Sequence, residues 1–208
     1  MDLGRPFAAV TPTLDGDVLA ALARVDAELT GRQLQGVIGH SSVEGVRRAA
    51  ERLVRQGIVH RRAVGRAHVY RLNREHVAAA AVERLAALDQ ELLDRLRTAI
   101  AAWTPAPVAA VLFGSAARGE AGADSDLDLL VIRPSAVDPD DDRWRAQLTE
   151  LAERATAWSG NDARVLEYGE EELDFREPEP VLAQALHEGL ALHGRPSELR
   201  RLARTVAA

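Results

Sequence analysis

Apolar residues recur along the first half of the chain at helical spacing and then at strand spacing. Val18, Leu19, Leu22 and Val25 fall three or four apart and predict a first amphipathic helix after a loose lead-in that ends near Leu14. Thr30 is placed to cap a second helix from Gly31 to Ile38, and Gly39-His40-Ser41 reads as a tight connection. Ser42 can cap a third helix whose inner face is Val46, Ala49, Ala50, Leu53 and Val54, with Gly57 as its stop. Residues 58–62 then read as a strand, Val64-Gly65-Arg66 as a turn, and residues 67–72 alternate as the returning strand. From Asn73 to Trp103 a single apolar stripe, Val82, Leu85, Leu88, Leu92, Leu96, Ile100 and Trp103, predicts one long helix without Gly or Pro. Its expected role is to connect two domains, with dimerisation as the alternative.

Pro105-Ala106-Pro107 marks the start of a different pattern, in which strands and helices alternate. Strands are expected at 108–113, 127–132 and 164–168, a helical turn after Gly114, and helices at 144–158 and 180–193. The fold class expected is α/β (α+β overall). Three parts are expected: residues 1–75 with three helices and a β-hairpin, a connecting helix over 76–104, and a mixed sheet flanked by helices over 105–208.

Composition narrows the classes. With 208 residues and 47% hydrophobic content the chain can hold two small domains, each with a core. No window approaches the roughly 18–20 apolar residues of a membrane span. The N-terminus lacks a signal-peptide layout, and the absence of cysteine excludes disulfides and Cys-ligated zinc. A cytoplasmic location without a membrane partner is therefore expected. All 26 basic residues are arginine. Residues 1–75 carry 12 arginines against eight acidic residues, and the remainder 14 against 24. A basic front and an acidic back suggest that the front half meets nucleic acid.

Three short helices followed by a two-stranded ribbon form the winged-helix plan. Residues 34–42, the run Gly45-Val46-Arg47-Arg48, residues 53–59 and Tyr70-Arg71-Leu72-Asn73 resemble the winged helix-turn-helix of transcriptional regulators. The resemblance implies double-stranded DNA as partner, with the third helix in the major groove and the wing on the backbone. Ser41, Ser42, Glu44, Arg47 and Arg48 would then lie at the start of that helix. The serines would hold phosphates and either arginine would take guanine edges. Arg61, Arg62, Arg66 and His68 would contact phosphates from the wing. A homodimer would match a symmetric site.

The segment that carries chemistry is Leu112-Phe113-Gly114-Ser115-Ala116-Ala117-Arg118-Gly119-Glu120, followed by Asp124-Ser125-Asp126-Leu127-Asp128-Leu129-Leu130-Val131. Asp126 and Asp128 alternate with leucines, so both carboxylates point to one strand face. Like charges so placed repel unless a cation lies between them, which makes Mg²⁺ or Mn²⁺ the natural ligand. Gly114, Ser115 and the amides after them suit phosphate oxygens. The segment resembles the polymerase-β nucleotidyltransferase superfamily, in particular its minimal and aminoglycoside-type members. The resemblance implies a nucleoside triphosphate as ligand or substrate, held by Gly114, Ser115 and Arg118, and a divalent cation on Asp126 and Asp128. Active relatives add a third carboxylate from a later strand, and here Glu167 is the first choice and Asp162 the second. An arginine at that place, Arg164, argues against catalysis.

The six histidines show no zinc spacing; His187 and His193 read as surface or packing residues. Asp140-Asp141-Asp142 and Glu170-Glu171-Glu172 read as solvated loops. Two functions follow from the resemblances. One is a DNA-binding transcriptional regulator whose nucleotidyltransferase-fold domain binds Mg-NTP. The other is an active nucleotidyltransferase, of toxin–antitoxin type, with the winged helix for targeting or autoregulation.

Overall fold

The computed structural model describes residues 1–173 and 179–194. The chain forms two units. One comprises Gly4–Asp89 with Asp2; the other runs from Gln90 onward and takes in Met1 and Leu3. The division falls inside the stretch expected to be one connecting helix.

In the first unit three helices, α1 (Leu14–Ala23), α2 (Gly31–Ile38) and α3 (Val43–Arg55), precede a hairpin. Thr30 caps α2 through a reciprocal pair: its hydroxyl accepts from the Gln33 amide, and the Gln33 side chain accepts from the Thr30 amide. The Ser42 hydroxyl caps α3 by accepting from the Gly45 amide at 3.1 Å. A two-residue strand that the periodicity does not announce, β1 (Leu29–Thr30), pairs with β3 (Ala67–Leu72), and β3 pairs with β2 (Val59–Val64). The core gathers Val18, Leu22, Leu34, Val46, Ala49, Ala50, Tyr70 and Leu72. The buried Tyr70 hydroxyl donates to Glu51 on α3 at 3.0 Å. That carboxylate and burial together push the phenol up to about 12, burial being the larger cause.

The expected long helix is two helices, α4 (Ala79–Ala86) and α5 (Leu88–Ala101), parted at Ala87. The stripe that looks continuous in sequence serves two cores. Ala79, Val82 and Ala86 join that of the first unit. Leu92, Leu93, Leu96, Ala99 and Ile100 join that of the second. Packing, with no Gly or Pro in the sequence to signal it, sets the break.

The second unit is built on a four-stranded sheet in the order β6-β5-β4-β7. Its elements are β4 (Ala109–Phe113), α6 (Gly114–Ala117), β5 (Leu127–Arg133), α7 (Asp142–Ser159), β6 (Ala163–Gly169), α8 (Pro180–Glu188) and β7 (Leu190–His193). β5 runs parallel to β6, while β4 is antiparallel to both β5 and β7. The helix expected over 180–193 therefore ends early. Its last four residues form the edge strand β7, whose Val111↔Ala191 and Leu112↔Leu190 pairs complete the sheet. Strand alternation sorts side chains onto two faces. Ala110, Leu112, Leu127, Leu129 and Val131 pack with α5 and α7. Val111, Phe113, Leu130 and Ile132 pack with Leu182 and Ala185 of α8. Among the described residues no helix is long and apolar enough to cross a membrane.

Candidate active site

β4 ends at Phe113, opposite Asp128 near the start of β5. The chain then turns at once through Gly114, whose φ of 72° lies in the left-handed region that favours glycine. A second constraint acts at the same atom. A Cβ on Gly114 would stand 2.6 Å from the Asp128 Oδ2. The missing side chain makes room for the carboxylate, so turn and carboxylate are built against each other. Ser115, in the first turn of α6, lies beside this point and is half-buried.

Asp126 and Asp128 share the sheet face that carries α8. Burial, and then the neighbouring Asp126 carboxylate, push Asp128 above the usual carboxylate range; Arg164 acts the other way. Two neighbouring carboxylates, one of them costly to ionise, also favour a cation. Magnesium is commonly held by one or two carboxylates together with substrate phosphates, so this donor pair fits a cation that arrives with a triphosphate. Among the described residues no group of three or more His, Asp or Glu side chains gathers to hold a metal without such help.

The expected third carboxylate is corrected here. Glu167 registers with Val131, on the face covered by α5 and α7, and not with Asp128. It is also three positions further along β6, about 10 Å at strand rise. Its Oε1 accepts from the Arg133 Nε at 2.9 Å and from the Trp144 indole Nε1 at 2.8 Å. Arg133 is only 3% exposed and also donates to Glu171 at 3.0 Å and to the Val137 carbonyl. Glu167 is thus the counter-ion of a buried arginine. The residue in register with Asp128 is Arg164. Its Nη1 lies 2.8 Å from the Asp126 Oδ2 and its Nε 3.4 Å from the Asp162 Oδ2. Asp162, the second choice, therefore stands on the site's side of the sheet, joined to Asp126 through the guanidinium.

Arg118, expected beside the phosphates, is 38% exposed. It is held by Glu120 and Glu188, both at 2.7 Å. Glu188, at the end of α8, was not foreseen. It accepts from Gln184 at 2.6 Å, from Arg118 and from the Gly114 amide, and these donors hold its carboxyl below the usual range. No short-range motif announces Glu188. Only the Gly189 that ends α8 hints at it, since a Cβ there would stand 2.2 Å from the Ala185 carbonyl oxygen.

In the first unit, Ser42 uses its hydroxyl as a cap, while Ser41 is half-buried with no hydrogen-bond partner for its hydroxyl. Glu44, Arg47, Arg48, Arg61, Arg62, Arg66 and His68 are all exposed. Arg47 pairs with Glu44 at 3.3 Å, Arg61 with Glu51 at 2.9 Å, and Arg62 with Glu28. Three of these five arginines are thereby met by acidic neighbours. Arg48 and Arg66 have no such partner among the described residues.

The two carboxylates are expected to respond oppositely to neutralisation. Because the folded pKa of Asp128 is raised, ionising it opposes folding, and that penalty develops as pH rises through and above the ordinary value of about 4. Asp128→Asn should raise Tm at neutral pH, and the gain should shrink as the solution is acidified. Glu167→Gln removes one counter-charge from the buried Arg133 and should cost roughly 1–3 kcal/mol. Thermal melts between pH 3.5 and 8 decide this, and a lower Tm for Asp128→Asn at pH 7 contradicts the assignment.

No curated protein matches the chain. Among solved structures the chain is similar to a toxin–antitoxin complex with AMP-PNP, at 22% identity over 57% of this chain and 83% of that one, with a TM-score of 0.37. It is also similar to a complex of tri-AMPylated Shewanella oneidensis HEPN toxin with MNT antitoxin, at 20% identity over 57% and 84%, also at 0.37. Residues 93–182 match the family profile described as nucleotidyltransferase domain, a span that holds Gly114, Ser115, Asp126 and Asp128. The matched span lies within the second unit.

Proposed function

We propose that the second unit binds a nucleoside triphosphate with one divalent cation and transfers the nucleotidyl group to a hydroxyl on a protein, RNA or small molecule. The observation that carries this reading is the 2.6 Å approach of the missing Gly114 Cβ to Asp128, which joins a phosphate-type turn to a cation-type carboxylate. Asp126 and Asp128 would hold the cation, and Ser115 with the turn amides would orient the phosphate chain. The bound cation supplies electrostatic stabilisation of the phosphoryl oxygens and the leaving pyrophosphate. In the transfer the acceptor oxygen bonds to the α-phosphorus, the bond to the pyrophosphate oxygen breaks, and the acceptor proton passes to solvent.

A second reading is favoured by one specific observation. Arg164 stands in register with Asp128, so no carboxylate is placed there to take the acceptor proton. A domain so built would bind nucleotide and turn it over slowly or not at all, and would act as a sensor. The first unit, read as a winged helix, serves in either case to target the chain or to regulate its own production through duplex DNA. Its support is the exposed Arg48 on α3 and Arg66 at the hairpin turn. Sequence-specific duplex binding that is retained in Arg48→Ala would remove this role from α3.

One experiment separates the readings. Calorimetric binding of each Mg·NTP is measured for the wild type and for Asp126→Ala/Asp128→Ala, with pyrophosphate release and label transfer to candidate acceptors followed in parallel. Binding lost by at least about tenfold in the double variant is expected, the effect of removing two charge-assisted contacts. Release with transfer establishes the enzyme; binding without release establishes the sensor. Equal binding by wild type and double variant contradicts both.

A further inference from the structure

We infer that Arg164 is a built-in cation that holds Asp126 of the carboxylate pair until a triphosphate arrives, so that the site takes its metal only as the metal–nucleotide complex. This rests on the nucleotide-binding reading above and adds a role for one residue to it.

Three observations on one sheet face carry it. β5 and β6 are parallel and in register from Leu127↔Ala163 onward, which places Arg164 directly beside Asp128. Its guanidinium closes on Asp126 at 2.8 Å and on Asp162 at 3.4 Å, so one arginine ties a carboxylate of the pair to a neighbouring one. The side chain is nevertheless 65% exposed. It is therefore free to leave. By contrast Arg133, on the other face of the same sheet, is 3% exposed and enclosed by its partners.

The electrostatics follow from placement. A free divalent ion approaching Asp126 and Asp128 meets a positive charge and only two carboxylates, and must displace the guanidinium without compensation. An ion carried by a triphosphate brings negative oxygens with it. Arg164 can then exchange a carboxylate for phosphate oxygens, which its planar donor fork suits equally well. Arg164 acts as a specificity residue that selects the complex over the bare ion.

The test is a titration with Mn²⁺ alone and with Mn·ATP, followed by the paramagnetic resonance signal of free Mn²⁺. It is applied to the wild type, Arg164→Gln, Arg164→Asp and Asp126→Ala/Asp128→Ala. The wild type should bind Mn·ATP at least about tenfold more tightly than Mn²⁺ alone. Arg164→Gln should gain about tenfold in affinity for Mn²⁺ alone, and Arg164→Asp more, because a third carboxylate then faces the ion. Both variants should bind metal-free ATP more weakly than the wild type. Should Arg164→Asp not fold, Arg164→Gln gives the same reading without the added charge. Unchanged affinity for Mn²⁺ alone in Arg164→Gln, with Mn·ATP still lost in the Asp double variant, overturns the role of Arg164 and leaves the nucleotide site standing. Failure of every form to bind Mn·ATP overturns both.

Discussion

The candidate site depends on the antiparallel pairing of β4 with β5, and at its end on the contact between a glycine without a side chain and a carboxylate. Phe113 opposite Asp128 sets the register. Once it is set, the left-handed turn at Gly114 delivers Ser115 and α6 to the place where Asp128 points. A one-residue slip would send Asp128 to the opposite face, among Leu112, Leu129 and Trp144, where an ionised group has no partner. The hydrophobic alternation of β5 prevents that slip. Leu127, Leu129 and Val131 are all essentially inaccessible on one face, as are Leu130 and Ile132 on the other. Apolar burial therefore aims the charged residues.

The same parity separates two acidic systems that lie close in sequence. On the face of α8, Asp126, Asp128, Asp162 and Arg164 form an open cluster that water reaches. On the face of α5 and α7, Glu167 and Arg133 form an enclosed pair completed by the Trp144 indole. The enclosed pair stabilises because its groups satisfy each other. The open cluster holds Asp128 in a costly state that a cation would relieve. Functional sites commonly carry such a cost, and here it falls where the turn also converges.

Much of this was legible in the chain. The Gly-Ser turn and the Asp-Leu-Asp strand are local patterns, and local patterns survive folding; the helix caps Thr30 and Ser42 were equally plain. Glu167 was misplaced because a central apolar flank looks the same on either face, and only the register with β5 tells which face it takes. Arg164 was noticed as unfavourable, but its partners became visible only with the parallel pairing. The division of the long helical stretch could not be read, since an apolar stripe carries no mark of which core it will join. β7 was hidden because Leu190, Ala191 and Leu192 satisfy helix and strand patterns alike, and the choice is made by the open edge of β4.

The most direct test of the central claim is to locate bound metal–nucleotide on the sheet by paramagnetic broadening of backbone amide resonances with a non-hydrolysable Mn·ATP analogue. The account predicts broadening centred on Gly114 to Ala117 and on Leu127 to Leu129, with the amides around Arg133 and Glu167 spared. Broadening centred on Glu167, or none at Gly114 under conditions where the analogue binds, would contradict it.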